Sequence, residues 1–373
     1  MNELNLFTME NPNIRKYGRG KVLDGRFPMF YTASGIEFMI NGSELWIELS
    51  SYYNSHESWI SILLNDVRVS RVMVPKGKQK FCVFRNLNPD VIKRVRISKD
   101  TQAMKDDTGH FLSIDAIYTD GEVVPYAERE LRLEFIGDSI TSGEGLIGAK
   151  KEEDWVSCFF DSVYHYGNLT ATKLNAEFRI ISQSGWGVIS GWDNNPNLTL
   201  PGIYDYTCAS NLSEEGKKFG SLEHHDFVRW QPDFVVINLG TNDNSSFYNP
   251  EWVSPDGKDT HKLRLTEDGQ KHPVDVKRFE DGVAAFLGQV RENNPNTTII
   301  WCYGVLGCDI EPNIQNGIRK YLEQSGDEKV SYLHFPAMTE EQCGARWHPG
   351  PPAHQMMSEL LVEKINELLK HEE

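Results

Sequence analysis

Hydrophobic and polar positions change rhythm once along this chain, near residue 125. Before it, apolar residues alternate with polar ones in short runs: Ile36 to Ile40, Leu45 to Leu49, Trp59 to Leu63, Val67 to Val74, Lys80 to Phe84, Lys93 to Ile97 and Leu112 to Tyr118. A period of two, broken by turn residues, predicts strands with one buried face. The breakers are Asn65-Asp66, Pro75-Lys76-Gly77 and Asn86 to Pro89. Asn41-Gly42 stands between two alternating runs and predicts a tight hairpin, because both residues accept positive φ. Short strands, frequent turns and no helical period predict an all-β sandwich over residues 1–125. Thr119 to Pro125 reads as a short connector, too short and stiff for a flexible tether.

After residue 126 the runs become uniformly apolar. Leu131 to Ile136, Phe178 to Ser182, Phe234 to Leu239, Thr298 to Tyr303 and Val330 to Leu333 are the kind of strand buried on both faces. Between them lie helical patterns at Tyr164 to Leu174, Val276 to Arg291, Ile314 to Gln324 and Pro352 to Leu369. Strands alternating with helices predict a parallel sheet covered on both sides, an α/β/α domain over 126–373. The polar stretch from Asn244 to His272 lacks a period and reads as an excursion near a site.

Composition narrows the functions. The chain has 373 residues, 39% hydrophobic and 25% charged, which excludes a disordered or fibrous protein. Asp and Glu number 54 against 38 Lys and Arg, a net charge of −16. Phosphate contacts need clustered cations, so neither nucleic acid nor an anionic membrane is expected as a partner. No run approaches the length of a membrane span. The N-terminus lacks a basic start followed by an apolar run, so a cytoplasmic protein is expected. Cys82, Cys158, Cys208, Cys302, Cys308 and Cys343 are scattered without CxxC, and read as reduced, buried thiols rather than disulfides or a zinc site. No histidine pair has metal spacing, and neither metal nor cofactor is expected.

Candidate chemistry gathers at strand ends. The first predicted parallel strand runs into Phe135-Ile-Gly-Asp-Ser-Ile-Thr141, which places Ser139 where ligands meet a parallel sheet. The second ends in Ser182-Gln-Ser-Gly-Trp-Gly-Val188, whose glycines let a backbone N–H approach a ligand. The third ends in Asn238-Leu-Gly-Thr-Asn-Asp243, and Ala345-Arg-Trp-His-Pro349 precedes the last helix. Any one of these is an ordinary turn or cap. The four together, in this order, resemble the SGNH (GDSL-type) hydrolases, with Ser139, Gly185 or Gly187, Asn242 and His348 at the four signature positions. A β-sandwich ahead of such a domain further resembles the two-domain acetylesterases of carbohydrate esterase family 2, whose N-terminal domain is a jelly roll. His354, in the helix after His-Pro, fits that likeness too.

The resemblance implies a jelly-roll-like sandwich followed by a three-layer SGNH domain, and removal of O-acetyl groups from manno- or xylo-type oligosaccharides through an acyl-enzyme. Ser139 would be the nucleophile and His348 the base. The N–H of Ser139, a glycine N–H, with Gly185 preferred, and the Asn242 amide would form the oxyanion hole. The partner is then an acetylated oligosaccharide, already imported if the protein is cytoplasmic; a homo-oligomer is left open.

One departure from the family stands out. The acid that usually precedes the histidine by three residues, or by two in family 2, is here Ala345 or Arg346. Either a backbone carbonyl orients His348, giving a Ser-His dyad, or Glu144, Asp309, Glu340 or Glu341 supplies an acid. Glu144 could also approach the site from the start of the first helix and contact substrate, although for it the plainer expectation is a solvated or capping carboxylate. Asp138 is expected to hold the nucleophile turn, Asp243 to cap the next segment, and Arg346 to face substrate or an acidic neighbour. Trp186, Trp192, Trp252 and Trp347 lie in loops beside the motifs, and about two of them are expected to stack on sugar rings. Two other readings stay open: a lipid or thioester hydrolase, which wants an apolar acyl channel, and a catalytically impaired carbohydrate-binding protein.

Overall fold

Alternating runs become strands here because two sheets share one core. In the computed structural model, which describes residues 4–372, one antiparallel sheet runs Asn5–Phe7, Phe111–Thr119, Leu45–Tyr52, Gly77–Phe84, with Phe27–Pro28 beside Phe111–Thr119. The other runs Val123–Val124, Gly35–Ile40, Lys93–Lys99, Ser58–Leu64, Val67–Val74, with Arg15–Tyr17 beside Gly35–Ile40. Ile36, Phe38 and Ile40 of one sheet share a buried core with Leu45, Ile47 and Leu49 of the other.

The hairpin expected at Asn41-Gly42 does not form. The strands on either side of it belong to different sheets, so the chain crosses the sandwich there. Buried Lys93 fixes the crossing by donating from Nζ to the Gly42 carbonyl at 2.6 Å. A turn signal says that the chain bends, not which sheet it joins next. The tight turn between paired strands is Asn65-Asp66, both residues left-handed at φ 50° and 68°. The connector is partly strand, since Val123–Val124 pairs with Met39 and Ile40.

The second half is a parallel sheet of β1 (Arg132–Gly137), β2 (Glu177–Ser182), β3 (Phe234–Asn238), β4 (Thr298–Tyr303) and β5 (Val330–His334). Their spatial order is β2-β1-β3-β4-β5. The helices used below are α1 (Ser139–Ser142), α2 (Tyr166–Lys173), α3 (Thr241–Ser246), α4 (Pro273–Asn293), α5 (Glu311–Ser325) and α6 (Pro351–Glu372). Ile136, Ile181, Val235, Ile237 and Trp301 face one layer, with Phe279, Phe286 and Ile314 of α4 and α5. Leu133, Phe135, Ile180, Val236 and Ile300 face the other, with Tyr166, Met357 and Leu361 of α2 and α6. Both faces are covered, which is why these strands read as unbroken apolar runs.

Strand order reverses at β1, whose neighbours are β2 and β3. The crevice at the carboxyl ends of these strands is where an open parallel sheet receives ligands. The sandwich packs against this end of the molecule. Its Phe30, Tyr31, Ala103 and Phe111 share a core with Trp186, Leu200 and Tyr204. Arg71 donates to the carbonyls of Cys158 and Phe160 at 2.9 and 2.8 Å, and Arg68 pairs with Asp161. All six cysteines are free, but only Cys208 and Cys302 are buried and Cys82 is exposed, so the expectation of buried thiols holds for two.

Candidate active site

Ser139 opens α1 directly after β1. Asp138 caps that helix, its Oδ1 accepting the Ile140 N–H at 3.1 Å. Burial pushes the Asp138 carboxyl up to about 7. Ser139 Oγ lies 2.9 Å from His348 Nε2. His348 Nδ1 lies 2.9 Å from the backbone oxygen of Arg346, two residues earlier. The carbonyl stands where a triad acid would stand.

The backbone pays for that placement. Arg346 and Trp347 both adopt left-handed φ, 54° and 57°, a conformation costing about 1–2 kcal/mol per non-glycine residue. Neighbouring bonds hold it: Ala345 N–H to the Gly145 carbonyl at 2.8 Å, Arg346 N–H to the Glu152 carbonyl at 2.8 Å, and Gly344 N–H to the His348 carbonyl at 2.7 Å.

None of the four candidate acids reaches Nδ1. Asp309, Glu340 and Glu341 are exposed, and Glu340 pairs with Lys150 at 2.7 Å. Glu144 is not the solvated carboxylate expected. It is 4% exposed, its Oε1 lying 3.1 Å from Arg346 Nε and 3.7 Å from His348 Nε2. It thus stands on the serine side of the imidazole. Arg346 meets this acidic neighbour and also donates from Nη1 to the Glu153 carbonyl at 3.0 Å.

Across the cavity, Asn242 from α3 donates through Nδ2 to the Trp186 carbonyl at 2.9 Å and faces Asp138 Oδ2 at 3.3 Å. These bonds fix the amide's orientation. Of the two glycines, Gly185 lines the cavity beside Ser139 and Asn242. It has φ of 80°, and a Cβ there would sit 2.9 Å from Trp192 Cδ1. Gly187 is structural: its N–H bonds the Leu198 carbonyl, and a Cβ would meet Ser190 O at 2.2 Å. Asp243 does not cap α3. It accepts the N–H groups of Val188, Ile189 and Ser190 at 2.8, 2.8 and 3.3 Å, tying the β2 loop to α3. Burial raises it to about 7 against those donors.

The cavity holds about 360 Å³ and is walled by Trp155, Trp192, Ser184, Glu144 and Arg346 around the serine and histidine. A groove of about 330 Å³ continues from it, also bounded by Trp155, Ser184, Gly185 and Trp192. The sandwich supplies His56, Gln102, Met104 and Lys105 to that groove. Of the four expected tryptophans only Trp192 lines the cavity at Ser139. Trp186 is 4% exposed and packed under Lys105 Nζ at 4.7 Å; it serves the site through its carbonyl. Trp252 pairs with His261 in a two-stranded excursion and is not among the residues lining the cavity, and Trp347 lies outward under Lys150.

Trp155 and Gln102 were not anticipated. Both sit in irregular segments, where no period marks a side chain as facing a cleft. His354 is fully buried and accepts the Tyr166 N–H at 3.0 Å, a packing role. A larger hollow, about 690 Å³, lies around Leu131, Phe234 and Thr298 at the amino ends of the strands, away from Ser139. Cys308, Glu311 and His334 bring donor atoms within 4.8 Å of one another, but Glu311 already engages His334 Nδ1 at 3.1 Å.

Residues 135–356 match the GDSL-like lipase/acylhydrolase family. An acetyl xylan esterase, Est2A, from the rumen bacterium Butyrivibrio proteoclasticus is 38% identical, with a TM-score of 0.96 and 99% of each chain covered. A family two carbohydrate esterase from Clostridium thermocellum, solved in complex with cellohexaose, shares the fold at a TM-score of 0.78 and 23% identity, over 96% of this chain and 99% of that one. The cellulase/esterase CelE of Acetivibrio thermocellus is 26% identical over 367 residues, which is 96% of this chain. The chain spans 40% of the length of that relative.

Proposed function

The chain belongs to the GDSL-like lipase/acylhydrolase family, and on that premise we propose that it is a serine O-acetylesterase acting on acetylated xylo- or manno-oligosaccharides. The observation that carries this reading is the Ser139–His348 contact at 2.9 Å, with His348 Nδ1 held on a backbone carbonyl. That carbonyl keeps the proton on Nδ1 and leaves Nε2 free to accept one.

Ser139 passes its proton to Nε2 as Oγ attacks the acetyl carbonyl. The oxyanion that forms is met by the N–H groups of Ser139 and Gly185, and by the Asn242 amide as its long 3.3 Å contact with Asp138 Oδ2 gives way to the oxyanion, each donor typically worth about 2.7–4 kcal/mol. His348 then protonates the departing sugar hydroxyl, leaving an acetyl-serine. Water attacks this ester with His348 again as base, and acetate departs. The carboxylate of Glu144, 3.7 Å from Nε2, favours the transient imidazolium.

Trp155 and Trp192 offer ring faces to the sugar. The likeness to an acetyl xylan esterase at 38% identity supports xylan-type substrates. A small cavity bordered by charged and polar groups disfavours a long acyl chain, and the intact serine-histidine pair disfavours a purely binding role. The expectation is rapid hydrolysis of 4-nitrophenyl acetate and little of the octanoate. Equal rates on the two esters would overturn the acetyl preference, and no hydrolysis of either would overturn the esterase reading. Mass spectrometry of acetylated xylo- and manno-oligosaccharides before and after treatment identifies the sugar. The cytoplasmic placement is likewise proposed, and cell fractionation tests it.

A further inference from the structure

The oxyanion loop that follows β2 carries Ser184 and Gly185. Its later residues are anchored from within the catalytic domain, by Asp243 on Val188, Ile189 and Ser190. Its first residue is tied to β1, Gln183 N–H donating to the Gly137 carbonyl at 3.1 Å, and its second is anchored from the sandwich. Ser184 N–H donates to Gln102 Oε1 of the sandwich at 2.8 Å, and Gln102 is 2% exposed.

Gln102 is itself held firmly. It follows the strand Lys93–Lys99, and the run from Asp100 to Ala103 is almost wholly buried. Lys99, fully buried, donates from Nζ to the carbonyls of Phe30 at 2.8 Å and Gln102 at 3.1 Å. The next residue, Ala103, packs in the core shared with Trp186. A chain of short contacts thus runs from the sandwich core to the peptide that precedes Gly185.

We propose that Gln102 is a positioning residue for the oxyanion hole: through Ser184 it sets where the Gly185 N–H points, so that the sandwich completes the catalytic site. This inference rests on the esterase reading above. Gly185 has left-handed φ; its carbonyl accepts the Trp192 N–H at 3.0 Å, and on its amide side the adjoining Ser184 N–H is held by Gln102, so Gln102 restrains the side from which the Gly185 N–H projects. An oxyanion donor displaced by a fraction of an ångström loses most in the transition state, when the charge has formed, and little in the ground state. The signature is therefore a loss in kcat with KM retained.

The experiment compares Gln102→Met, which keeps size but removes the acceptor, with Gln102→Glu, which keeps an acceptor oxygen. Melting temperature and circular dichroism verify the fold of each. Gln102→Met is expected to lower kcat for 4-nitrophenyl acetate by about 10- to 100-fold, the scale of a small misplacement in an active site, with KM within about twofold of wild type. Gln102→Glu is expected to recover most of that loss. Methylboronic acid, whose serine adduct mimics the tetrahedral intermediate, is expected to bind Gln102→Met more weakly by a similar factor, and acetate to bind both proteins alike. Wild-type kcat in Gln102→Met, a loss confined to KM, or unchanged boronate affinity would each overturn the inference. If wild type itself fails to hydrolyse the ester, the esterase reading fails instead. Should Gln102→Met not fold, hydrogen exchange in wild type decides: a Ser184 amide exchanging as fast as exposed loop amides would refute the anchor.

Discussion

Arg346 acts on His348 through its peptide oxygen and on Glu144 through its guanidinium. The two roles separate by mutation. Ser139→Ala is expected to abolish esterase turnover with the fold intact, because nucleophile loss in serine hydrolases costs several orders of magnitude. More than about a tenth of wild-type turnover would contradict its role. Glu144→Gln removes a buried carboxylate near Nε2 and is expected to lower kcat about tenfold, or ~1.4 kcal/mol of transition-state stabilisation. Loss of a triad acid costs about 10⁴. A fall of about three orders of magnitude in Glu144→Gln, or in the amide variants of Asp309, Glu340 or Glu341, would replace the carbonyl-held dyad with a triad.

At the scale of elements, the cleft is made by loops that buried carboxylates hold in place. Asp107 accepts N–H bonds from Asn54, Ser55, His56 and Gly109, which fixes the loop that brings His56 to the groove. Burial alone would raise its pKa, but these backbone donors outweigh burial and hold it at about 2. The native carboxylate therefore resists protonation more than the unfolded one, whose pKa is about 3.9. The stability it contributes is full above about pH 4 and is lost as pH falls through about 2. Asp107→Asn is expected to melt lower than wild type at neutral pH, with the gap closing between about pH 4 and 2. A gap that stayed constant over that range would contradict this account. In the opposite loop, Gly185→Ala would place a methyl against Trp192 in a left-handed backbone. It is expected to cost about 1–2 kcal/mol of stability, read from urea denaturation, and to lower kcat as the ring and the amide shift.

Across the whole molecule, the sandwich and the hydrolase half share buried side chains and ion pairs. Arg71 pairs with fully buried Asp100 at 2.9 Å and also reaches two carbonyls of the other half. Arg71→Ala would leave Asp100 without its cation and is expected to destabilise by about 3–5 kcal/mol. Because the core runs through both halves, thermal unfolding is expected as one cooperative transition, and scattering as one rigid body. Two separated transitions, or two freely moving lobes, would contradict it.

Local pattern was enough to read the longer strands and helices of both halves, because each periodicity follows from which faces of an element are buried, but not short ones such as Arg15–Tyr17 or Thr241–Ser246, which span too few residues to show a period. Ser139, Asn242 and His348 were picked out by the order of four motifs and the family they resemble, and the structure brings all three to one cavity at the carboxyl ends of a parallel sheet. The absence of an acid before His348 was equally plain in the sequence. What took its place was decided in three dimensions, since any residue has a carbonyl and only the left-handed turn at Arg346 and Trp347 aims this one. Tertiary packing alone sent the strands beside Asn41-Gly42 into different sheets, because a turn signal carries no information about the partner strand. It alone buried Trp186, left Trp252 and Trp347 outside the cavity and put Trp155 in its wall, because loop residues have no period to mark their facing. And it alone joined Gln102 to Ser184, a hydrogen bond across 82 positions of chain that exists only once the two halves have docked.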